Sequence, residues 1–188
     1  TSSNPIAGAA CTGAGVGPTR IDHVLGVSKA YVTRVGEGPF PTELDDADGR
    51  HMMERGNEFG TTTGRQRRCG WLDLVALRYS VRLSGVSQLA LTKLDVLSGL
   101  ARVRICEAYR TREGERITDF PYHQTVFHGC RPVYQDMPGW DEDLSECRSL
   151  DQLPPRARDY VERIAEALEV PITLIGTGQG RHQVIDQV

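Results

Sequence analysis

An α/β fold, with a mainly parallel sheet flanked by helices and an added β-hairpin, is predicted by three observations. A short apolar run, QLALTKL at residues 88–94, has the length and flanking turn residues of a buried strand. Two stretches, Trp71 to Leu83 and Pro155 to Glu169, repeat apolar residues at helical spacing. No internal repeat or low-complexity linker divides the chain, so residues 1–188 read as one domain. With 39% hydrophobic residues, 188 residues can bury a substantial core.

The opening Gly/Ala/Ser-rich region through Gly17 reads as a loop, and Pro18 starts a helical pattern through Ile21, Val24 and Leu25. KAYVTRV, residues 29–35, is strand-like, and Gly36 to Pro41 then breaks regular structure. Asp45 to Arg55 is polar enough to be a surface excursion with one short helical turn, a kind of segment that usually lies outside sites. The Trp71 helix supports the basic loop before it. The strand at 88–94 delivers Lys93 and Asp95 at its end, where ligands of open α/β sheets bind. RVRICEAYR and ERITDF, separated by a Glu-Gly turn, form a hairpin. In the Pro155 helix, Ala157, Tyr160, Val161, Ile164, Ala165 and Leu168 share the buried face; Pro171 ends it and PITLIGT is a final strand.

Chemistry concentrates in GNEFGTTTGRQRRCGWLD, residues 56–73. Thr61, Thr62 and Thr63 offer hydroxyl and backbone donors, Gly60 and Gly64 permit unusual backbone angles, and Arg65 and Arg67 can each grip a carboxylate or phosphate bidentately. A solvated basic turn is the other reading of the same residues. In Thr92-Lys93-Leu94-Asp95, a carboxylate at the rim of a purine pocket can accept from both the ring N–H and the exocyclic amine of guanine, a pair that adenine lacks. An exposed strand end is the alternative there, and an ordinary Gly-rich turn is the alternative for GTGQGR at 176–181.

Other classes fit less well. The net charge of −3 opposes a nucleic-acid surface, which RQRR alone cannot supply. No apolar run approaches the roughly 20 residues of a membrane span. Five cysteines, Cys11, Cys69, Cys106, Cys130 and Cys147, form no CxxC pair and an odd number cannot all be bridged, so reduced thiols are expected. His123, His128 and Cys130 lack a recognisable fourth partner, and no metal site is assigned to them.

Taken together, TSSNPIAGAACTGAGVGP (1–18), KAYVTRVGEGPFPTEL (29–44), NEFGTTTGR (57–65), RRCGWLDLVALRY (67–79), LTKLDVLSGL (91–100), PVYQDMPGW (132–140) and GTGQGR (176–181) resemble, in order, the blocks of the adenylosuccinate synthetase family. Members join IMP to L-aspartate while hydrolysing GTP, a step of AMP synthesis. The resemblance implies a P-loop-NTPase-like fold, a cytoplasmic homodimer whose partner subunit contributes an arginine to the IMP site, and no nucleic-acid or membrane partner. It implies IMP contacts at Thr1, Val35, Gly36 and Arg65, and L-aspartate contacts at Thr61, Thr62, Thr63, Gly64, Arg65 and Arg67. For GTP it implies Arg67, Lys93, Leu94, Asp95, Gly176, Thr177 and Gly178. Gln179 stands where the family has proline, and Gly180 follows, so a looser terminal loop is expected.

The family's GDEGKGK-type phosphate loop, with its catalytic aspartate and Mg²⁺ ligand, has no counterpart in the sequence, nor does the catalytic histidine after it. The expectation is a carboxy-terminal portion of a longer synthetase that is inactive alone and carries no catalytic proton-transfer residue. The runner-up is a guanine-nucleotide-binding regulatory module without ligase activity. That reading explains TKLD but needs a phosphate loop and a DxxG element that cannot be located.

Overall fold

The computed structural model describes residues 4–60 and 64–187. Its first helix, α1 (Ala9–Ala14), lies in the region expected to be a loop: a pair of alanines favours the turn and left-handed Gly15 caps it, although nothing in it is buried. The helix expected from Pro18 to Leu25 is only a 3-10 turn at Pro18–Arg20. Leu25 instead opens strand β1 (Leu25–Lys29), which pairs in parallel with β5 (Gln88–Thr92). Tertiary pairing overrides the local pattern here.

KAYVTRV is split. Lys29 ends β1, Ala30 and Tyr31 turn through the core, and β2 (Val32–Arg34) pairs antiparallel with β3 (Arg68–Gly70) in a separate ribbon. The polar excursion is a full helix, α2 (Ala47–Arg55), whose first turn is capped by Asp46 accepting from the Gly49 N–H at 3.0 Å. Only Gly49 and Met52 of α2 are fully buried, which is why its apolar stripe is faint.

Leu72 and Asp73 form the short strand β4 (Leu72–Asp73), so helix α3 (Leu74–Ser84) starts three residues later than predicted. Asp73 caps α3 by accepting from Ala76 N–H. It also accepts from the buried Tyr109 hydroxyl. The predicted hairpin is present as β6 (Arg102–Arg110) and β7 (Arg116–Ile117), with Tyr109 facing Ile117.

After a short helix, α4 (Gln124–Gly129), strand β8 (Arg131–Pro138) runs antiparallel along the whole of β6. The sequence reading assigned no element to residues 131–138. Pro132 and Pro138 are tolerated because β8 pairs on one side only.

Helix α5 (Pro155–Leu168) matches its prediction, burying Ala157, Tyr160, Val161, Ile164 and Leu168, except that Ala165 is only partly buried. It leads into β9 (Ile172–Gly176), and β10 (Val184–Asp186) folds back antiparallel on it. The principal sheet has the order β1-β5-β9-β10, parallel except at β10. β4 and β7 lie along one edge of β6 with β8 along the other, and only β4 is parallel to it. The sheets are therefore mixed rather than mainly parallel. Among the described residues no helix is long and apolar enough to cross a membrane, and all five cysteines are free.

One core joins these layers, with Trp71, Trp140, Tyr160 and the leucines of β5 at its centre. Tyr160 sends its hydroxyl across it to the Ala30 carbonyl at 2.7 Å, locking α5 to the corner after β1. Tyr160→Phe leaves that buried carbonyl without this donor and is expected to cost about 1–3 kcal/mol. A lower denaturant midpoint at unchanged slope is the result that checks it.

Candidate functional site

The site begins where the principal sheet ends. β5 is central and almost wholly buried, and after Thr92 the chain reverses through Lys93 in the left-handed region, at φ 62°. The 3-10 turn Leu94–Leu97 then buries Leu94, Val96 and Leu97 and leaves Asp95 at the surface of the sheet's end. The neighbouring strand β9 finishes beside it. A side chain at Gly176 would press on the Thr92 backbone, its Cβ 3.3 Å from Thr92 Cα, so glycine lets the two strand ends close together.

A cavity of about 250 Å³ results. Lys93 and Asp95 line it from β5, Gly178 and Gln179 from the loop after β9, and Arg55 and Asn57 from the end of α2. The α2 contribution was missed in the sequence, where that segment read as lying outside any site. His51 of α2 fixes the helix there through a 2.9 Å hydrogen bond between its Nε2 and the Val96 carbonyl.

Not every predicted nucleotide residue faces this cavity. Leu94 is fully buried in the core, and Thr177 is buried with its Oγ1 unpartnered among the described residues. The terminal loop is braced despite Gln179 and Gly180. Gln183 accepts the Thr177 N–H on its backbone carbonyl at 2.9 Å and the Gly180 N–H on its side chain at 2.7 Å. Burial pushes the Asp95 carboxyl above its ordinary value, against the pull of its own backbone N–H, Arg55 and Lys93.

Beside the cavity lies Glu58, fully buried and unassigned by the sequence reading. Its Oε1 accepts from Tyr31 hydroxyl at 2.6 Å and from Lys29 and Lys93 ammonium groups, each at 2.8 Å; its Oε2 accepts from Arg67 at 2.9 Å. Burial alone would raise this carboxyl, but the four donors outweigh it and hold the pKa down at about 2. Lys93 donates also to the Gly56 carbonyl at 2.6 Å, so its head is tied at the wall of the cavity. The signal in the sequence was faint: an acid inside a Gly/Thr/Arg loop.

Past Glu58 the described residues on the two sides of the basic loop pair with each other. Glu58 carbonyl accepts from Arg67 N–H at 2.9 Å, Phe59 bridges Gln66, and Gly60 N–H donates to the Arg65 carbonyl. Gly64 sits at φ 64° and Arg65 is exposed. Thr61, Thr62 and Thr63, like Thr1, lie outside the described residues.

Arg68 clamps Glu43 and donates to the carbonyls of Gly36 and Gly38. It thereby pins the turn holding Val35, which is 62% exposed, and Gly36 to the root of the loop. Arg67 and Arg68 wall an open groove of about 890 Å³ between α2 and β3. His123 caps α4, and Cys130 contacts the Val126 carbonyl. Among the described residues, no group of three or more His, Cys, Asp or Glu is placed to hold a metal.

Comparison with known proteins agrees in sequence and in shape. Residues 1–185 match the adenylosuccinate synthetase family. The adenylosuccinate synthetase of Gloeobacter violaceus is 57% identical over 185 residues, which cover 98% of this chain and 42% of that protein. That of Desulfitobacterium hafniense strain DCB-2 is 58% identical over 185 residues, covering 98% of this chain and 43% of its own length. A structure of fully ligated adenylosuccinate synthetase from Plasmodium falciparum superposes with a TM-score of 0.96 at 40% identity, covering 100% of this chain and 45% of that one. The chain thus spans less than half the length of the relatives it matches.

The Glu58 cluster carries a pH signature. A carboxyl depressed from 4.5 to about 2 stabilises the fold above 4.5, and that contribution is lost as pH falls towards 2. Lys29 is pushed below its ordinary value, chiefly by its own burial. In Glu58→Gln the acid-dependent loss of stability is expected to flatten. Denaturant midpoints of both proteins across that window check it, and parallel curves would assign the acid sensitivity to other carboxylates.

Proposed function

The chain belongs to the adenylosuccinate synthetase family, and on that footing we propose that it supplies the guanine-reading site, much of the L-aspartate site and part of the IMP site of a GTP-dependent ligase. The observation that carries this reading is the meeting of Asp95 and Gly178 in one cavity at the ends of adjacent parallel strands. Ligands of parallel sheets bind at such carboxyl ends. This supports a P-loop-NTPase-like arrangement for the principal sheet.

Asp95 accepts from the ring N–H and the exocyclic amine of guanine. Two donors from the base would satisfy a carboxylate that burial otherwise penalises. The Lys93 stem covers the base while Glu58 and the Gly56 carbonyl hold its ammonium group away from it. Gly178 and Gln179 close the cavity from the other side. Leu94, Gly176 and Thr177 shape the site from behind rather than by side-chain contact.

In the reaction, IMP gives up its N1 proton to a base outside this segment and the γ-phosphoryl group of GTP passes to its C6 oxygen, giving GDP and a C6 phosphate ester. The amine of L-aspartate then attacks C6 and loses a proton, and phosphate departs with the C6 oxygen. Mg²⁺, when bound, neutralises charge on the transferring group; the described residues offer no ligand cluster for it. This chain's residues bind and orient. Arg67, held from below by Glu58, meets a carboxylate of L-aspartate and the GTP ribose. Arg65, with Gly64 and the three threonines before it, closes over L-aspartate and IMP. Val35 and Gly36, in the turn that Arg68 pins, and Thr1 contact IMP. A second subunit completes the IMP site in a homodimer.

Two substitutions separate the arginines in a full-length synthetase carrying this segment. Arg65→Leu is expected to weaken productive IMP engagement, and Arg67→Leu to raise the L-aspartate requirement, each about tenfold or more. Steady-state kinetics for each substrate make the comparison, and unchanged values in both variants would return the loop to a solvated basic turn.

The base reader has a sharper test. Asp95→Asn is expected to lose GTP use and gain relative preference for xanthosine triphosphate, whose base carries an oxygen where guanine has the amine. The asparagine amide donates to that oxygen, as aspartate cannot. kcat/KM for both nucleotides, with a thermal melt to verify folding, decides it. A folded variant that keeps the wild-type order removes Asp95 from base recognition.

A further inference from the structure

We infer that Glu58 is a positioning residue that ties the guanine cavity to the dicarboxylate-binding arginine, so that the state of one sets the geometry of the other. The inference rests on the placement of the base at Asp95 and of L-aspartate at Arg67 proposed above. Glu58 touches neither ligand: it is fully enclosed, and its partners Lys29, Arg67 and Lys93 keep only a quarter to a third of their side chains exposed.

The division of its two oxygens is what makes it a tie. Oε2 serves Arg67 alone, whereas Oε1 serves Lys93, Lys29 and Tyr31 together. Arg67 is held a second time through its backbone N–H on the Glu58 carbonyl. Lys93 is held a second time on the carbonyl of Gly56, itself a wall of the cavity. Lys93 and Arg67 thus hang from one rigid carboxylate within a three-residue segment. A shift of either cation changes the acceptor geometry offered to the other.

Charge points the same way. Three cations around one carboxylate leave a positive surplus, which a ligand anion at Arg67 relieves. Removing the Lys93 charge leaves Arg67 more tightly engaged by Glu58 and less available to that anion. Lys93 lines the base cavity, and the double-mutant cycle separates an effect on L-aspartate that passes through Glu58 from one felt directly as charge. Glutamine at 58 cannot replace it: its single carbonyl oxygen cannot accept from all four donors, and its NH₂ would point a donor at a cation.

The test is a double-mutant cycle of Lys93→Met and Glu58→Gln in a full-length synthetase carrying this segment. The readouts are KM for L-aspartate at saturating GTP, KM for GTP, kcat and a thermal melt. Lys93→Met is expected to raise the L-aspartate KM about fivefold as well as the GTP KM, and Glu58→Gln to raise both about tenfold. In the Glu58→Gln background, Lys93→Met should change the L-aspartate KM by less than about twofold. Glu58→Asp, which keeps the charge, should recover part of the L-aspartate KM, and it replaces Glu58→Gln in the cycle if that variant does not fold. An L-aspartate KM unmoved by Lys93→Met, or effects that simply multiply in the double variant, would overturn the tie. Failure of the guanine reading looks different: Asp95→Asn would keep its GTP preference while Lys93→Met still shifted L-aspartate.

Discussion

A carboxylate wholly removed from water, shared by three cations and a phenol, is the constraint around which this molecule is arranged. Uncompensated burial of such a charge would be prohibitive, so Glu58 requires its partners to stay where they are. Those partners come from the end of β1, the corner after it, the end of β5 and the root of the basic loop. Holding Glu58 ionised therefore ties together three stretches of the chain, at residues 29–31, 58–67 and 93. Each cation keeps one face open, so the same cluster that is satisfied within remains attractive to anions without.

The second organising feature is the side-by-side ending of β5 and β9. The left-handed reversal at Lys93 and the 3-10 turn that follows send Leu94 to the core and Asp95 to the cavity, although they are adjacent in sequence. Helix α2 completes the wall because His51 anchors it to the same turn. The motif TKLD is thus divided by burial into a residue that shapes the site and residues that can meet a ligand. The terminal GTGQGR divides likewise, with Thr177 inward and Gly178 outward.

Elements with strong periodicity were legible. α5 buries its five residues at helical spacing, β5 is a compact apolar run, and the β6–β7 hairpin announces itself by its Glu-Gly turn. Where the pattern was weak, reading failed in both directions. α2 is a real helix with little apolar surface, and the stretch after Pro18 looked helical but gives its Leu25 to a strand because β5 offers it a partner. β8 was assigned no element from sequence, and its two prolines fit the edge position it takes. In the candidate site, Arg67, Lys93, Asp95 and the glycines stood out by residue type. Lys29, Tyr31 and Arg55 did not, because a lysine, a tyrosine and an arginine in ordinary surroundings carry no local mark.

What the sequence by itself determined was the set of periodic elements, the membership of a family through motifs spread over nearly the whole chain, and the chemistry each motif can offer. Those are local properties: spacing, hydrogen-bonding capacity and turn preference reside in neighbouring residues. Only the tertiary structure decided which of them act together. Glu58 becomes a hub because β1 and β5 pair in parallel and end beside each other, bringing Lys29 and Lys93 to the same oxygen from 64 positions apart. An ion pair of that kind depends on a distance set by strand packing, and no pattern of adjacent residues encodes it.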